Sequence, residues 1–149
     1  MATTTTTFTD LPLHGDVQRA LVQMRFRVPS PIQLRALPLA LFGNDVIGQA
    51  KSGTGKTAVF GITAVEHVIA KREKQLQQGG GGAVLPSGHA VVGSVDPLAL
   101  ILAPTREIAM QIDAVIRQIA RFRTECTVQT VIGGLPVAQD RVALRSAHA

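Results

Sequence analysis

Tryptophan and tyrosine are absent from this 149-residue chain, and it carries five phenylalanines and one cysteine. Its core must therefore rest on Val, Ile, Leu and Ala, a usage that suits a parallel sheet covered on both faces. The lone Cys126 excludes an intramolecular disulfide and makes a reducing interior the natural setting. His14, His67, His89 and His148 are scattered without ligand-like spacing, so no metal site follows from them. No apolar run approaches the roughly 20 residues that span a bilayer. Met1 to Thr7 has neither the basic start nor the apolar stretch of a secretory signal, and Asp10, with no arginine before Arg19, argues against a mitochondrial presequence. The expectation is an intracellular protein, cytoplasmic and/or nuclear, without a membrane partner.

Against those absences stand 46% hydrophobic residues and a mean hydropathy of +0.24, which exclude wholesale disorder. The length suits one domain large enough to bury a core. A net charge of +5 and a pI near 10.4 favour anionic partners, nucleotide or nucleic acid, without proving either.

The most informative run is Ala50-Lys51-Ser52-Gly53-Thr54-Gly55-Lys56-Thr57, entered from an apolar stretch and left into a helix-like segment. It reads as a phosphate-binding loop. Glycines let the backbone curl so that successive N–H groups face a polyphosphate, and the following helix adds its positive dipole end. Lys56 suits the β- and γ-phosphates of a nucleotide and the Thr57 hydroxyl suits Mg²⁺. The strict pattern begins with Gly, so Ala50 makes this a relaxed form.

Upstream, Leu13, Val17, Ala20, Leu21 and Met24 fit one amphipathic helix over 11–24. Ser30 and Pro31 predict the N-cap and first turn of a second helix, running toward Phe42. Strands are predicted at 45–49, 98–102 and 127–132, with helices starting at Thr57, at Thr105 and at Leu135-Pro136. In the Thr105 helix, Ile108, Ile112, Val115, Ile116 and Ile119 form the expected buried stripe. Residues 75–97, with four consecutive glycines from Gly79, predict a flexible insertion, and residues 1–7 a disordered threonine-rich tail. The order helix, β, α, β, α, β, α predicts an α/β fold with an open, mostly parallel sheet and helices on both faces. Ligands then gather at the carboxyl ends of the strands, where Ala50 to Thr57, Ala103 to Glu107 and Gly133-Gly134 fall.

With those motifs in order, the chain resembles the first RecA-like domain of the DEAD-box ATP-dependent RNA helicases from Phe8 to about Arg145. Phe26 to Gln33 resembles the family's Q motif, with Phe8 as its upstream aromatic. Ala50 to Thr57 matches the family's phosphate loop, in which a leading alanine is ordinary. Pro104-Thr105-Arg106-Glu107-Ile108-Ala109 resembles motif Ia, and Gly133-Gly134 the glycine doublet that follows. The resemblance implies that Gln33 reads the adenine edge and Phe8 stacks on the base. It also implies that Pro104, Thr105, Arg106, Gly133 and Gly134 contact RNA phosphates. The bland readings are a helix-surface glutamine, a core phenylalanine, a helix-capping arginine and a turn doublet.

The phosphate-loop wording, with the run around Gly133-Gly134, is also similar to a subgroup associated with spliceosomal snRNP assembly in animals, implying protein partners in an RNP complex. Two departures stand out. Arg25 replaces the family's usual glycine, and no Asp-Glu-Ala-Asp occurs. The chain thus reads as residues 8–149 of a truncated domain, expected to bind nucleotide weakly and to hydrolyse it little or not at all. A noncatalytic nucleotide- or RNA-binding half-domain and a generic P-loop ATPase acting on DNA or protein are the alternatives.

Overall fold

Among the described residues five α-helices follow a short 3-10 turn at Phe8–Asp10: α1 (Gly15–Gln23), α2 (Pro31–Leu41), α3 (Lys56–Gln77), α4 (Arg106–Ile119) and α5 (Val137–Ser146). The structure is a computed structural model and describes residues 6–77, 97–134 and 136–146. The threonine-rich tail over 1–5, the glycine-rich part of the insertion and Leu135 lie outside the described residues.

Local chemistry explains where the helices begin. Ser30 caps α2 in a reciprocal box with Gln33, and Pro31 fills the first helical position, where no N–H partner is needed. Thr105 caps α4 by accepting the Ile108 N–H at 3.3 Å, with Glu107 in the first turn facing the positive dipole end. The helix predicted over 11–24 starts later. Leu11 and Leu13 are buried ahead of it in an irregular segment, and His14 caps α1 through Nδ1, which accepts the Asp16 N–H. At the other end of α1, Phe26 N–H bonds to Leu21 O and Arg25 N–H to Val22 O. This closure requires a left-handed residue, and Arg25 supplies it at φ +63° where glycine is the usual choice.

The core is helical. Ile62, Val65 and Ile69 of α3 share one buried cluster with Ile112, Ile116 and Ile119 of α4, Val17 and Leu21 of α1, and Leu37 of α2. The predicted α4 stripe is met except that Ile108 is exposed and Val115 only partly covered. Gly61 lets α3 and α4 approach closely, since a Cβ there would stand 3.2 Å from Ile119 Cδ1. Arg123, beyond α4, binds Glu73 of α3 at 3.0 Å and Asp16 of α1 at 3.4 Å, and the His14 N–H donates to Glu66 Oε1 at 2.7 Å. These bonds tie three helices together at one edge.

The sheet is where expectation and structure part. Among the described residues no β-strand forms at 45–49, 98–102 or 127–132. Ile47 is fully exposed, and Leu100 and Leu102 are 81% and 85% exposed. The reason is physical: a strand is a property of a pair, and the apolar pattern supplies the residues for a sheet without supplying its hydrogen-bond partners. The helices form regardless, because their backbone bonds close within four residues.

Candidate functional site

Two constellations carry the chemistry. In the first, the loop from Ala50 to Gly55 curls into the start of α3, with Gly53 at φ +78° and Gly55 at φ +85°. Lys56 Nζ lies inside the curl, donating to Ala50 O at 2.5 Å and to Lys51 O at 2.7 Å. Thr54 Oγ1 adds a bond to Lys51 O at 2.8 Å. The loop is thus folded on its own ammonium, which satisfies the carbonyls that a curl of this tightness turns inward. Ser52 and Lys51 are exposed, while Ala50 and Thr57 are half-buried.

The start of α2 is bolted to that loop. Ser30 Oγ donates to Thr54 O at 2.8 Å, and Gln33 Nε2 donates to Gly55 O at 3.1 Å. Gln33 Oε1 accepts the Ser30 N–H at 2.8 Å. At 2% exposure Gln33 is the buried polar residue of the core, and both ends of its amide are paired, as burial demands. Gly55 is required twice over: its φ is left-handed, and a Cβ there would sit 2.2 Å from Gln33 Nε2. Sequence reasoning placed Ser30 only as a helix cap. Its bond to Thr54 spans 24 residues and has no local signal.

Phe8 occupies a different place from the one the resemblance implies. Its ring is 1% exposed and meets Phe26 edge-on, with centroids 5.9 Å apart, and its N–H bonds to Arg27 O at 3.2 Å. In this arrangement it anchors the segment before α2 to the core and turns no open face outward.

The second constellation is a cleft of about 540 Å³ at the start of α4, lined among others by Pro104, Thr105, Arg106, Glu107, Ile132 and Gly133. Gly134 adopts φ +97°, and a Cβ there would stand 3.0 Å from the Arg106 guanidinium. The side chain of Arg106 therefore lies against the glycine doublet, so motif Ia and Gly133-Gly134 are brought together across 28 positions of sequence. Glu107 also lines this cleft, a neighbour the sequence reading took only as a dipole partner. Hydrogen bonds from its own backbone N–H and from the Thr105 hydroxyl hold its carboxyl below the usual range. The cleft thus offers a planar cation and a persistent anion side by side.

No group of three His, Cys, Asp or Glu side chains is placed to hold a metal among the described residues. Thr57, at the first turn of α3, is a neutral oxygen donor. That donor set fits a Mg²⁺ carried in with phosphate oxygens better than one caged by protein alone.

The DEAD/DEAH box helicase family profile matches residues 30–149. A probable ATP-dependent RNA helicase ddx20 of Dictyostelium discoideum is 41% identical over 145 residues, covering 87% of this chain and 17% of that protein. The ATP-dependent RNA helicase MAK5 of Coccidioides immitis (strain RS) is 34% identical over 139 residues, covering 92% of this chain and 17% of its own length. Among solved structures, the RNA-helicase Prp28 of Chaetomium thermophilum bound to ADP superposes with a TM-score of 0.64 at 30% identity, over 89% of this chain and 28% of that one. A DEAD box protein of Methanococcus jannaschii gives 0.65 at 25% identity, over 93% of this chain and 32% of that one. The chain spans about a sixth of the length of these two sequence relatives, 17% of each.

Proposed function

This chain belongs to the DEAD/DEAH box helicase family, and from that premise we propose that it forms the ATP-binding part of an ATP-dependent RNA helicase. One observation carries the reading: the buried Gln33 amide and the Ser30 hydroxyl hold the carbonyls of Gly55 and Thr54, so the adenine-reading segment and the phosphate loop are one mechanical unit. A generic phosphate loop has no need of that bolt.

In this reading Lys56 leaves the carbonyls of Ala50 and Lys51 when a polyphosphate enters and pairs its ammonium with the β- and γ-phosphates. The loop amides of Ser52 to Gly55 would face the phosphate oxygens, and the Thr57 hydroxyl would help hold a Mg²⁺ that would supply charge neutralisation there. Gln33, released from Gly55, offers the adenine edge one donor and one acceptor. Phe8 reaches the base only if the 3-10 turn swings out of the core. At the other constellation Arg106 takes an RNA phosphate, with the Gly133 and Gly134 amides beside it and Pro104 and Thr105 fixing the approach. The three extended apolar stretches are the strands of an open parallel sheet once pairing partners are present.

By itself the chain binds ATP and hydrolyses it little, since it carries the phosphate cradle without an acidic metal-holding strand. The parent protein clamps RNA and locally separates strands, acts with protein partners in an RNP complex, and works inside the cell.

The test is displacement of a fluorescent ADP analogue, in Mg²⁺, by ATP and by GTP. Displacement by ATP and not by GTP is expected. Equal displacement by the two would assign the chain to a generic phosphate-loop protein, and robust RNA-stimulated turnover by the purified chain would overturn the inactivity of the fragment.

A further inference from the structure

Two arginines stack on one phenylalanine at the far end of α4. The Arg19 guanidinium, from α1, lies 4.0 Å from the Phe122 ring centroid, and that of Arg121 lies 5.3 Å from it. Arg117 and Arg123 nearby are each tied to carboxylates, at Asp113, Asp16 and Glu73. Arg19 and Arg121, both exposed, have no carboxylate or hydrogen-bond partner among the described residues. One turn along α1 from Arg19, and therefore on the same face, Val22 is 57% exposed.

The ring holds two like charges together, an arrangement that favours an anion and leaves ten guanidinium N–H donors between two arginines unspent. The site is separate from the cleft, because the 14-residue α4 stands between them and spans about 20 Å at 1.5 Å per residue. Two features favour a peptide over nucleic acid. Two guanidinium groups already lie over the Phe122 ring, which leaves a base less of it to stack on. Val22 and the edge of Phe122 give an apolar footing beside the charges, which a sugar-phosphate backbone does not use.

We propose that Arg19, Val22, Arg121 and Phe122 form a docking site for an acidic, partly apolar peptide segment of a partner protein, one presenting two carboxylates beside an aliphatic side chain.

The test uses fluorescence anisotropy of a fluorescein-labelled peptide with glutamate and leucine at helical spacing, titrated with the purified chain. Arg19→Gln with Arg121→Gln is expected to weaken binding by about tenfold or more, since two charge-assisted pairs are lost. Arg19→Lys with Arg121→Lys keeps the charge and loses the fork, and is expected to weaken it by about threefold to fivefold. Val22→Ser is expected to cost about threefold through lost apolar contact. Arg35→Gln with Arg141→Gln removes the same charge from α2 and α5, both positions being exposed. That control is expected to leave affinity within about twofold, as rim charges do. An equal loss in the two glutamine doubles would reduce the effect to net charge and overturn the proposal. So would absence of peptide binding, or displacement of the peptide by poly(U), which would make the patch a nucleic-acid surface. Thermal melts by circular dichroism on each variant separate lost docking from lost folding, and the lysine double, which keeps every charge, decides the matter if the glutamine double melts early.

Discussion

The two constellations are built on opposite plans. Around the phosphate loop the buried and half-buried groups that hold its shape are paired inside the protein: Lys56 on Ala50 and Lys51, Ser30 on Thr54, Gln33 on Gly55. At the start of α4 the charged groups stand open, with Arg106 and Glu107 exposed at a cleft. A site closed on itself must exchange internal bonds for ligand bonds, so its ligand reorganises it and changes in it reach the fold. An open site is preformed, and substitutions there reach the ligand and leave the core alone.

Five substitutions would break or sharpen that contrast. Gly55→Ala has the largest expected effect. The new Cβ meets Gln33 and the backbone must hold a left-handed angle, so thermal melts should show a loss of about 2–3 kcal/mol and nucleotide titration a loss of binding. Next comes the pair Gln33→Ala and Arg106→Gln. Gln33→Ala strands the Gly55 carbonyl and the Ser30 N–H and should cost about 1–3 kcal/mol in urea denaturation. Arg106→Gln should leave stability within about 0.5 kcal/mol yet lower RNA affinity and reduce its salt slope by about one. Equal destabilisation by the two would erase the distinction between closed and open sites.

Arg25→Gly should raise stability by about 1 kcal/mol, since it relieves a left-handed non-glycine residue at the end of α1. The smallest effect concerns Glu66. Burial pushes its carboxyl above the ordinary value of 4.5, against the lowering influence of the His14 N–H. Because the folded state holds this proton more tightly, the associated stabilisation is complete below the unfolded value and is lost as pH rises through the folded one. Glu66→Gln keeps an acceptor for His14, so it should flatten that part of the stability curve, as read by denaturation at pH steps upward from about 4.5.

How much of this was legible beforehand depends on the range of the interaction. Ser30-Pro31 and Thr105 with Glu107 announce helix starts because a cap is satisfied within three residues, and the structure places α2 and α4 there. The phosphate loop was legible as a string of residue types, and its two left-handed glycines follow from the curl. Phe8 and Gln33 were not legible in the same way. Each has a bland reading and a functional one from local sequence, and their burial is set by Phe26 and by Gly55, which no periodicity connects to them. Likewise Ile108 obeys the helical stripe of α4 and still lies exposed, because a stripe says which face is apolar and not how far the neighbouring helix extends along it.

The sequence by itself determined the starts of α2 and α4, the residue types of the loop from Ala50 to Thr57, the lack of an intramolecular disulfide and the family to which the chain belongs, because each is written in contiguous residues. Only the tertiary structure decided that Ser30 and Gln33 clamp the loop, that Arg106 rests on Gly134, and that the apolar runs at 45–49, 98–102 and 127–132 form no strand among the described residues. Those outcomes depend on partners far away in the chain, and a hydrogen bond or a packing contact exists only when both of its halves are brought to the same place.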